Sequence, residues 1–341
     1  MKLLNPFDYP APSGRTVGEI AMGPVTAAGA TPRVVDVGAR SGMFDLPVSF
    51  TQQADFVGFE PNQAEYDKLM NGTTDAMKTG IRQPKFKTQT YFPKALWSEA
   101  CERELVITIG AGACSLHGPS NQKMTSRMYL EGRESAAYAD NVQQPVGKLM
   151  VPCARLDAML SPPARIDYLK VDAEGSEVEV FKGAAELFAA RCILLIKTEF
   201  LLTPYYKEHA LLGHQHVFLD RHGFRMIDID LKHPRYLRDR TRVSPATDRR
   251  PVYAGDAYFI LDPELIDLPA LDQHRTAVVL LLFGFNSLAL TLCRDAGLLS
   301  AADLGDLELA LSRAPLYKRL KHAWNRFPGR VGQLLHRVGL A

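Results

Sequence analysis

Arg33-Val34-Val35-Asp36-Val37-Gly38-Ala39-Arg40-Ser41-Gly42 is the stretch on which the reading of this chain turns. Residues 33–37 are short, apolar and rich in valine, the texture of a buried strand. The strand runs into a glycine turn. Glycine lets a backbone approach a ligand where a Cβ would clash, and a following helix points its N-terminus at the same place. A dinucleotide fold would carry G-x-G-x-x-G here. This chain has G-x-x-x-G with Asp36 ahead of it. That looser loop suits a ligand without a pyrophosphate, such as the methionine part of S-adenosylmethionine (SAM). Taken alone, it is equally well a plain strand-to-helix turn.

Two further stretches weigh toward a ligand. Phe56-Val57-Gly58-Phe59-Glu60 reads as a second strand ending on an acid, before Pro61. Its carboxylate stands roughly twenty residues after the glycine turn, where an acid can accept from both ribose hydroxyls. Ile166 to Asp172 reads as a later strand, followed by Ala173-Glu174-Gly175-Ser176-Glu177. Acids crowded at a strand end are costly unless they meet a cation, a metal or polar ligand groups, and SAM brings a sulfonium and an ammonium. Glu177 is expected to cap or start the next helix, with Asp172 and Glu174 facing the crevice.

Around these points the chain alternates. Helices are expected over Asp45–Gln53, Gln63–Met70 and Glu177–Ala190. A third strand is expected from Thr88 through Lys94-Ala95-Leu96, and further strands over Glu104–Ile109, Cys192–Thr198, Phe224–Ile229 and Ala257–Leu261. Residues 122–148 have weak periodicity and read as a flap. Alternation of this kind predicts an α/β, doubly wound, mainly parallel sheet. The expected division is an N-terminal arm over 1–30, the α/β domain over 31–262 and a helical extension over 263–341.

Together the blocks resemble the FkbM-type methyltransferases. The likeness runs from about residue 33 to 230 on Asp36-Val37-Gly38-Ala39, Phe59-Glu60-Pro61, Lys94-Ala95-Leu96, Arg155-Leu156-Asp157, Asp167 through Glu177, Lys182-Gly183-Ala184 and Glu199. The resemblance implies a Rossmann-like class I methyltransferase core, a seven-stranded sheet whose last strand is antiparallel within a late hairpin. It implies SAM as donor, leaving S-adenosylhomocysteine, and a hydroxyl acceptor on a glycan, sugar or secondary metabolite. Asp36, Gly38 and Gly42 then map to the loop around the methionine moiety, Glu60 to the ribose contact, and Ala95 and Leu96 to the strand end beside the adenine, with Ala39, Arg40, Pro61 and Asp172 counted among the cofactor-binding residues. Two features depart from the family. Position 40 is Arg where Asn is commoner, suited to the SAM carboxylate, to Asp172 or Glu174, or to an altered pocket. The chain after Asp262 is not needed by the family core.

Methyl transfer to a hydroxyl gains from in-line positioning and from a base that takes the proton. Asp172, Glu174, Glu199 and His117 are the candidates. Oxygen ligands from Asp172 and Glu199 are compatible with magnesium, but no spacing demands it and no metal is expected. His209, His214, His216 and His222 read as surface residues.

Composition bounds the alternatives. The chain has 341 residues, 46% hydrophobic and 23% charged, with formal net charge +2. A balance so small argues against a nucleic-acid partner. The five cysteines are widely spaced, without a CxxC pair, which argues against zinc or a disulfide framework. The first residues lack the apolar region of a signal peptide. Ala277–Cys293 is short for a membrane span and reads as buried helix. Cytoplasmic residence is the expectation. From Arg313 the tail is basic, with stripes Leu316, Leu320, Trp324, Phe327 and Val331, Leu334, Leu335, Val338. They are expected to dock on the core or a second subunit, the rival being peripheral membrane contact. The rival to an enzyme is a non-catalytic scaffold on the same fold.

Overall fold

The computed structural model describes residues 5–40, 42–78, 83–118, 128–130, 144–232, 234–236 and 252–312. The basic tail and most of the expected flap fall outside these residues.

The chain begins with α1 (Val17–Ala27), then β1 (Arg33–Val37), α2 (Val48–Thr51), β2 (Asp55–Phe59), α3 (Gln63–Met70), α4 (Asp75–Lys78) and β3 (Thr88–Phe92). It continues with β4 (Ala95–Leu96), β5 (Cys101–Thr108), β6 (Met128–Leu130), β7 (Pro145–Ala154) and α5 (Leu156–Met159). Next come β8 (Ile166–Val171), α6 (Glu177–Lys182), α7 (Ala185–Ala189), β9 (Ile193–Leu201), α8 (Leu212–Asp220) and β10 (Phe224–Lys232). The last are β11 (Pro234–Tyr236), β12 (Ala254–Leu261), α9 (Ala270–Leu282), α10 (Asn286–Ala296) and α11 (Ala301–Ser312).

Seven strands form the central sheet in the order β10-β12-β9-β8-β1-β2-β3. The pairings from β3 through β9 are parallel, and β12 lies antiparallel between β9 and β10. This is the doubly wound sheet with a late antiparallel strand that the sequence leads one to expect. The central strands β1, β2 and β8 are buried on both faces, so they read as near-continuous apolar runs.

Two expectations need correction. The third strand does not continue from Thr88 to Leu96. It ends at Phe92, and after Pro93 the chain leaves the sheet. Ala95 and Leu96 pair instead with Cys153 and Ala154, in a separate three-stranded sheet ordered β4-β7-β5. The helix expected over Glu177–Ala190 is likewise two short helices. A Cβ on Gly183 would sit 2.1 Å from the Trp97 carbonyl oxygen. The buried Asp157 carboxylate accepts from the Glu186 and Leu187 N–H groups at 3.0 Å each, fixing where α7 starts.

The faces are covered unequally. Helices α5 to α8 close one face over Val35, Val57, Leu169, Ile196 and Phe259. The other face carries Val34, Phe56, Tyr168, Leu195 and Ile260, and its crossover helix after β1 is only α2. The cover there comes from the two ends of the chain. Helix α1, started by a capping box between Thr16 and Glu19, packs on α9, and α9 is buried from Arg275 through Leu282. Residues 277–293 are thus parts of two packed helices. Among the described residues no helix is long and apolar enough to cross a membrane.

A buried ion pair ties α9 to the sheet. Arg275 donates from Nε and Nη2 to the two Asp167 oxygens, each at 2.7 Å, and the Arg33 N–H donates to the same carboxylate at 2.6 Å. Removing one partner of such a pair strands a buried charge. Arg275→Met should therefore lower unfolding free energy by roughly 3–5 kcal/mol, read from the urea midpoint. Arg294→Met, which breaks the exposed Arg294–Glu308 pair, should cost under about 1 kcal/mol. Equal small shifts would show that the clamp contributes nothing.

Candidate functional site

A cleft with ≈ 900 Å³ of non-atom space, part of it open solvent, lies at the carboxyl ends of β1, β2 and β8. In an open α/β sheet this edge is where ligands bind. Gly38 makes the cleft possible. Its φ is 84°, and a Cβ would stand 2.0 Å from the Asp172 carbonyl oxygen. Its N–H and that of Ala39 donate to the Phe59 carbonyl at 3.0 and 2.9 Å, while the Asp172 N–H donates to Val37 at 3.0 Å. Three strand ends are stitched together at one glycine.

Charge is organised around Lys170, directly opposite Asp36 in the β1–β8 register. Its ammonium donates to Asp36 Oδ1 at 3.0 Å and lies 3.5 Å from Asp172 Oδ2. Burial works against the ammonium, but Asp36 and Asp172 outweigh it and raise the Lys170 pKa. Asp36 is 1% exposed; burial pushes its carboxyl up and Lys170 opposes that. Glu60 is buried as well, with Oε1 accepting from the Asn62 N–H at 2.8 Å. Burial, opposed by that bond and by Arg40, pushes its carboxyl up to about 7. Arg40 lines the cleft yet pairs with none of Asp172 and Glu174. Its Nη1 is 3.5 Å from Glu65 and 4.0 Å from Asp75.

The loop after β8 is shaped by its own acids. Glu177 opens α6 and its Oε1 accepts from the N–H groups of Ala173 and Gly175, each at 3.1 Å. Burial still raises its carboxyl to about 7. Glu174 has φ 50° and Gly175 φ 99°, so the backbone turns left-handed and carries the Glu174 side chain to the cleft. The Tyr206 hydroxyl donates to Glu174 Oε2, and the Ser115 hydroxyl donates to its carbonyl at 2.6 Å. Burial and then Glu199 and Asp172 hold the Glu174 carboxyl well above the usual range, with Tyr206 pulling against them. Oxygens of Asp172, Glu174 and Glu199 lie within 4.8 Å of one another. Compatibility with magnesium thus extends to Glu174, although Lys170 and Tyr206 already bring this cluster a cation and a donor.

Of the residues singled out in the sequence, Gly38, Arg40, Gly42, Glu60, Pro61, Ala95, Leu96, Asp172 and Glu174 line the cleft. Asp36 and Ala39 are buried and do not line it. Glu199 stands with the acids at the next strand end. His117 does not line the cleft. Its ring lies 5.6 Å from that of Trp97, and burial lowers its pKa. His214 and His216 are exposed, and the half-buried His222 stacks on Phe218.

Sequence reasoning passed over Lys170, Ser115, Tyr206 and the wall formed by Leu105, Cys114 and Leu116. Lys170 was findable. It precedes Asp172 by two residues on a strand, so both side chains take one face. Nothing local marks Tyr206, which reaches Glu174 across 32 positions. Lys170→Met should destabilise the fold by roughly 3–5 kcal/mol, because Asp36 is left buried without its cation. Adding Asp36→Leu should recover much of that loss in a urea titration. A double variant no better than the single one would show that the pair is not the source.

A family model described as Methyltransferase FkbM domain matches residues 36–226, more than half of the 341-residue chain. No curated protein matches the chain in sequence. Among solved structures it is similar to magnesium protoporphyrin IX methyltransferase from Synechocystis with bound SAM, at 9% identity over 72% of this chain and 78% of that one, TM-score 0.32. It is also similar to precorrin-6y C5,15-methyltransferase from Geobacter metallireducens, at 10% identity over 76% and 97%, TM-score 0.29. Both likenesses are distant. The match over residues 36–226 decides: the chain belongs to the FkbM methyltransferase domain family.

Proposed function

We propose that this chain is an O-methyltransferase that moves the methyl group of SAM to a hydroxyl of a glycan, sugar or secondary-metabolite acceptor. The observation that carries the reading is Glu60. It is a carboxylate 4% exposed, set in the wall of a cleft that also holds Gly38, Gly42, Ala95 and Leu96. A buried acid in such a wall calls for polar ligand groups, and two ribose hydroxyls supply them. The apolar Ala95 and Leu96 suit a flat base.

The remaining carboxylates support the chemistry. Asp172 and Glu174 bring negative charge to the side of the cleft where a sulfonium would sit, favouring the cation over its neutral product only weakly once Lys170 is counted. What accelerates transfer is in-line contact of methyl and hydroxyl oxygen and a carboxylate within reach of the proton. Acids rather than an amide-and-aromatic pocket face the reacting edge, which supports a hydroxyl acceptor over a ring nitrogen.

Calorimetric titration with SAM and with S-adenosylhomocysteine tests the reading. Micromolar binding is expected, weakened at least about tenfold in Glu60→Ala, since a hydrogen-bonded charge contributes about 1.5–3 kcal/mol. Binding of neither compound would discard the reading and favour a non-catalytic scaffold. The same titration has a pH dependence. The ribose hydroxyls donate to ionised Glu60, whose carboxyl titrates at about 7. S-adenosylhomocysteine affinity should therefore rise as pH is taken upward through 7 and fall below it. Glu60→Gln should flatten the curve; an unchanged slope in that variant would assign the titration to another group.

A further inference from the structure

Four side chains in or near the cleft, Asp172, Glu174, Glu199 and His117, are chemically able to take a proton from an acceptor hydroxyl, and their surroundings separate them. Asp172 is bound to the Lys170 ammonium at 3.5 Å, and an ion-paired carboxylate is a weak base. His117 faces Trp97 and is not part of the wall. Glu199 adds an oxygen to the acid group but does not line the cleft. Glu174 does line it, and among the described residues no cation is paired with its carboxylate.

Glu174 is also the one that the fold holds most firmly. Its backbone is turned left-handed, at φ 50°, a conformation uncommon for a residue other than glycine. Ser115 binds its carbonyl at 2.6 Å. The buried Tyr206 donates its hydroxyl to Oε2, leaving Oε1 for another partner. The next residue leans on the same support: a Cβ on Gly175 would come 3.0 Å from the Tyr206 ring and 3.1 Å from His209 Cβ. Burial and Glu174 itself keep the Tyr206 phenol protonated far above neutrality, so it stays a donor at every working pH.

We propose that Glu174 is the catalytic residue that accepts the acceptor's hydroxyl proton, and that Tyr206 is the residue that positions it; this rests on the O-methyl transfer proposed above. In the step, a lone pair of the acceptor oxygen forms the new O–CH3 bond. The S–CH3 bond breaks and its electron pair stays on sulfur. The hydroxyl proton passes to Glu174 Oε1. The products are the methyl ether, S-adenosylhomocysteine and a neutral Glu174, which returns its proton to water.

The charged and titratable groups facing Glu174 are Asp172 and Glu177 of its own loop, Glu199 of β9, and Tyr205 and Tyr206 beyond it, with Lys170 behind Asp172. Against that background, Tyr206→Phe removes a donor that favours the ionised carboxylate, so the Glu174 titration should move to higher pH.

The experiment uses the full chain, tritium-labelled SAM and a pool of methyl glycosides of hexoses and deoxyhexoses, with calorimetry of S-adenosylhomocysteine in parallel. Failure of the wild type to bind S-adenosylhomocysteine would fell the donor assignment, not this one. With binding intact, Glu174→Gln should lose at least about 100-fold in kcat. Tyr206→Phe should lose about tenfold or more in kcat, with the KM for SAM within about twofold and the acid limb of the pH profile displaced upward. Full activity in Glu174→Gln, or an undisplaced limb in Tyr206→Phe, overturns the proposal. So does activity that chelation abolishes and magnesium restores, because the carboxylates would then be holding a cation. If no glycoside is methylated, infrared titration decides. The protonated-carboxyl stretch that disappears in Glu174→Gln should titrate at higher pH in Tyr206→Phe, and an unmoved midpoint overturns the proposal.

Discussion

The pairing of Asp36 with Lys170 is the constraint on which both sheet and site depend. The two residues face one another across β1 and β8, and neither tolerates burial alone. A slip of one residue in register would place each opposite an apolar neighbour and turn it to the other face. The pair therefore fixes how the two central strands lie. It also fixes where Asp172 stands, two residues further along the same face. What stabilises the alignment of the strands thus arranges the charges at their ends.

From that alignment the acids acquire different characters. Asp36 and Asp172 share a cation. Glu177 is used up on backbone amides. Glu60 sits among apolar walls with one amide, and Glu174 among other acids with one phenol. The same functional group thus appears in a series of environments, from fully compensated to barely so. Environment and not residue type assigns the roles. The second sheet and the loop after β5 complete the enclosure by bringing Leu105, Cys114 and Leu116 against the acidic edge.

The legible parts of this structure were those decided by neighbouring residues. β1, β2, β8 and the helix Gln63–Met70 could be read because burial on both faces, or a helical stripe, writes itself into a short window. The glycine turn and the acid at the end of β2 were readable for the same reason, and both line the cleft. What escaped is what distant residues decide. Gly183 looks like a tolerated glycine within a helix; only the Trp97 carbonyl beside it shows why the helix must break. Ala95 and Leu96 continue the apolar texture of β3, and only pairing with Cys153 and Ala154 reveals the change of sheet. Thr16-x-x-Glu19 does carry a helix-start signature, but Gly18, Gly23 and Pro24 blur the stripe behind it. Arg40 could be located but its partners could not, since Glu65 and Asp75 lie on later elements.

The helices that close the second face of the sheet set the order in which this protein can be completed during synthesis. Asn5 donates to the Leu282 carbonyl at 2.8 Å, and the buried His274 ring bonds the Ala21 carbonyl at 2.7 Å. Contacts of that sequence separation cannot form while the ribosome is still making the middle of the chain. Until α9 emerges, the apolar side of Val34, Phe56 and Tyr168 has no lasting cover, and Asp167 is left without its guanidinium. Between the emergence of β8 and that of α9 the nascent chain therefore carries a stitched glycine turn on a sheet with one uncovered face, and an exposed apolar face invites chaperones or association with other chains.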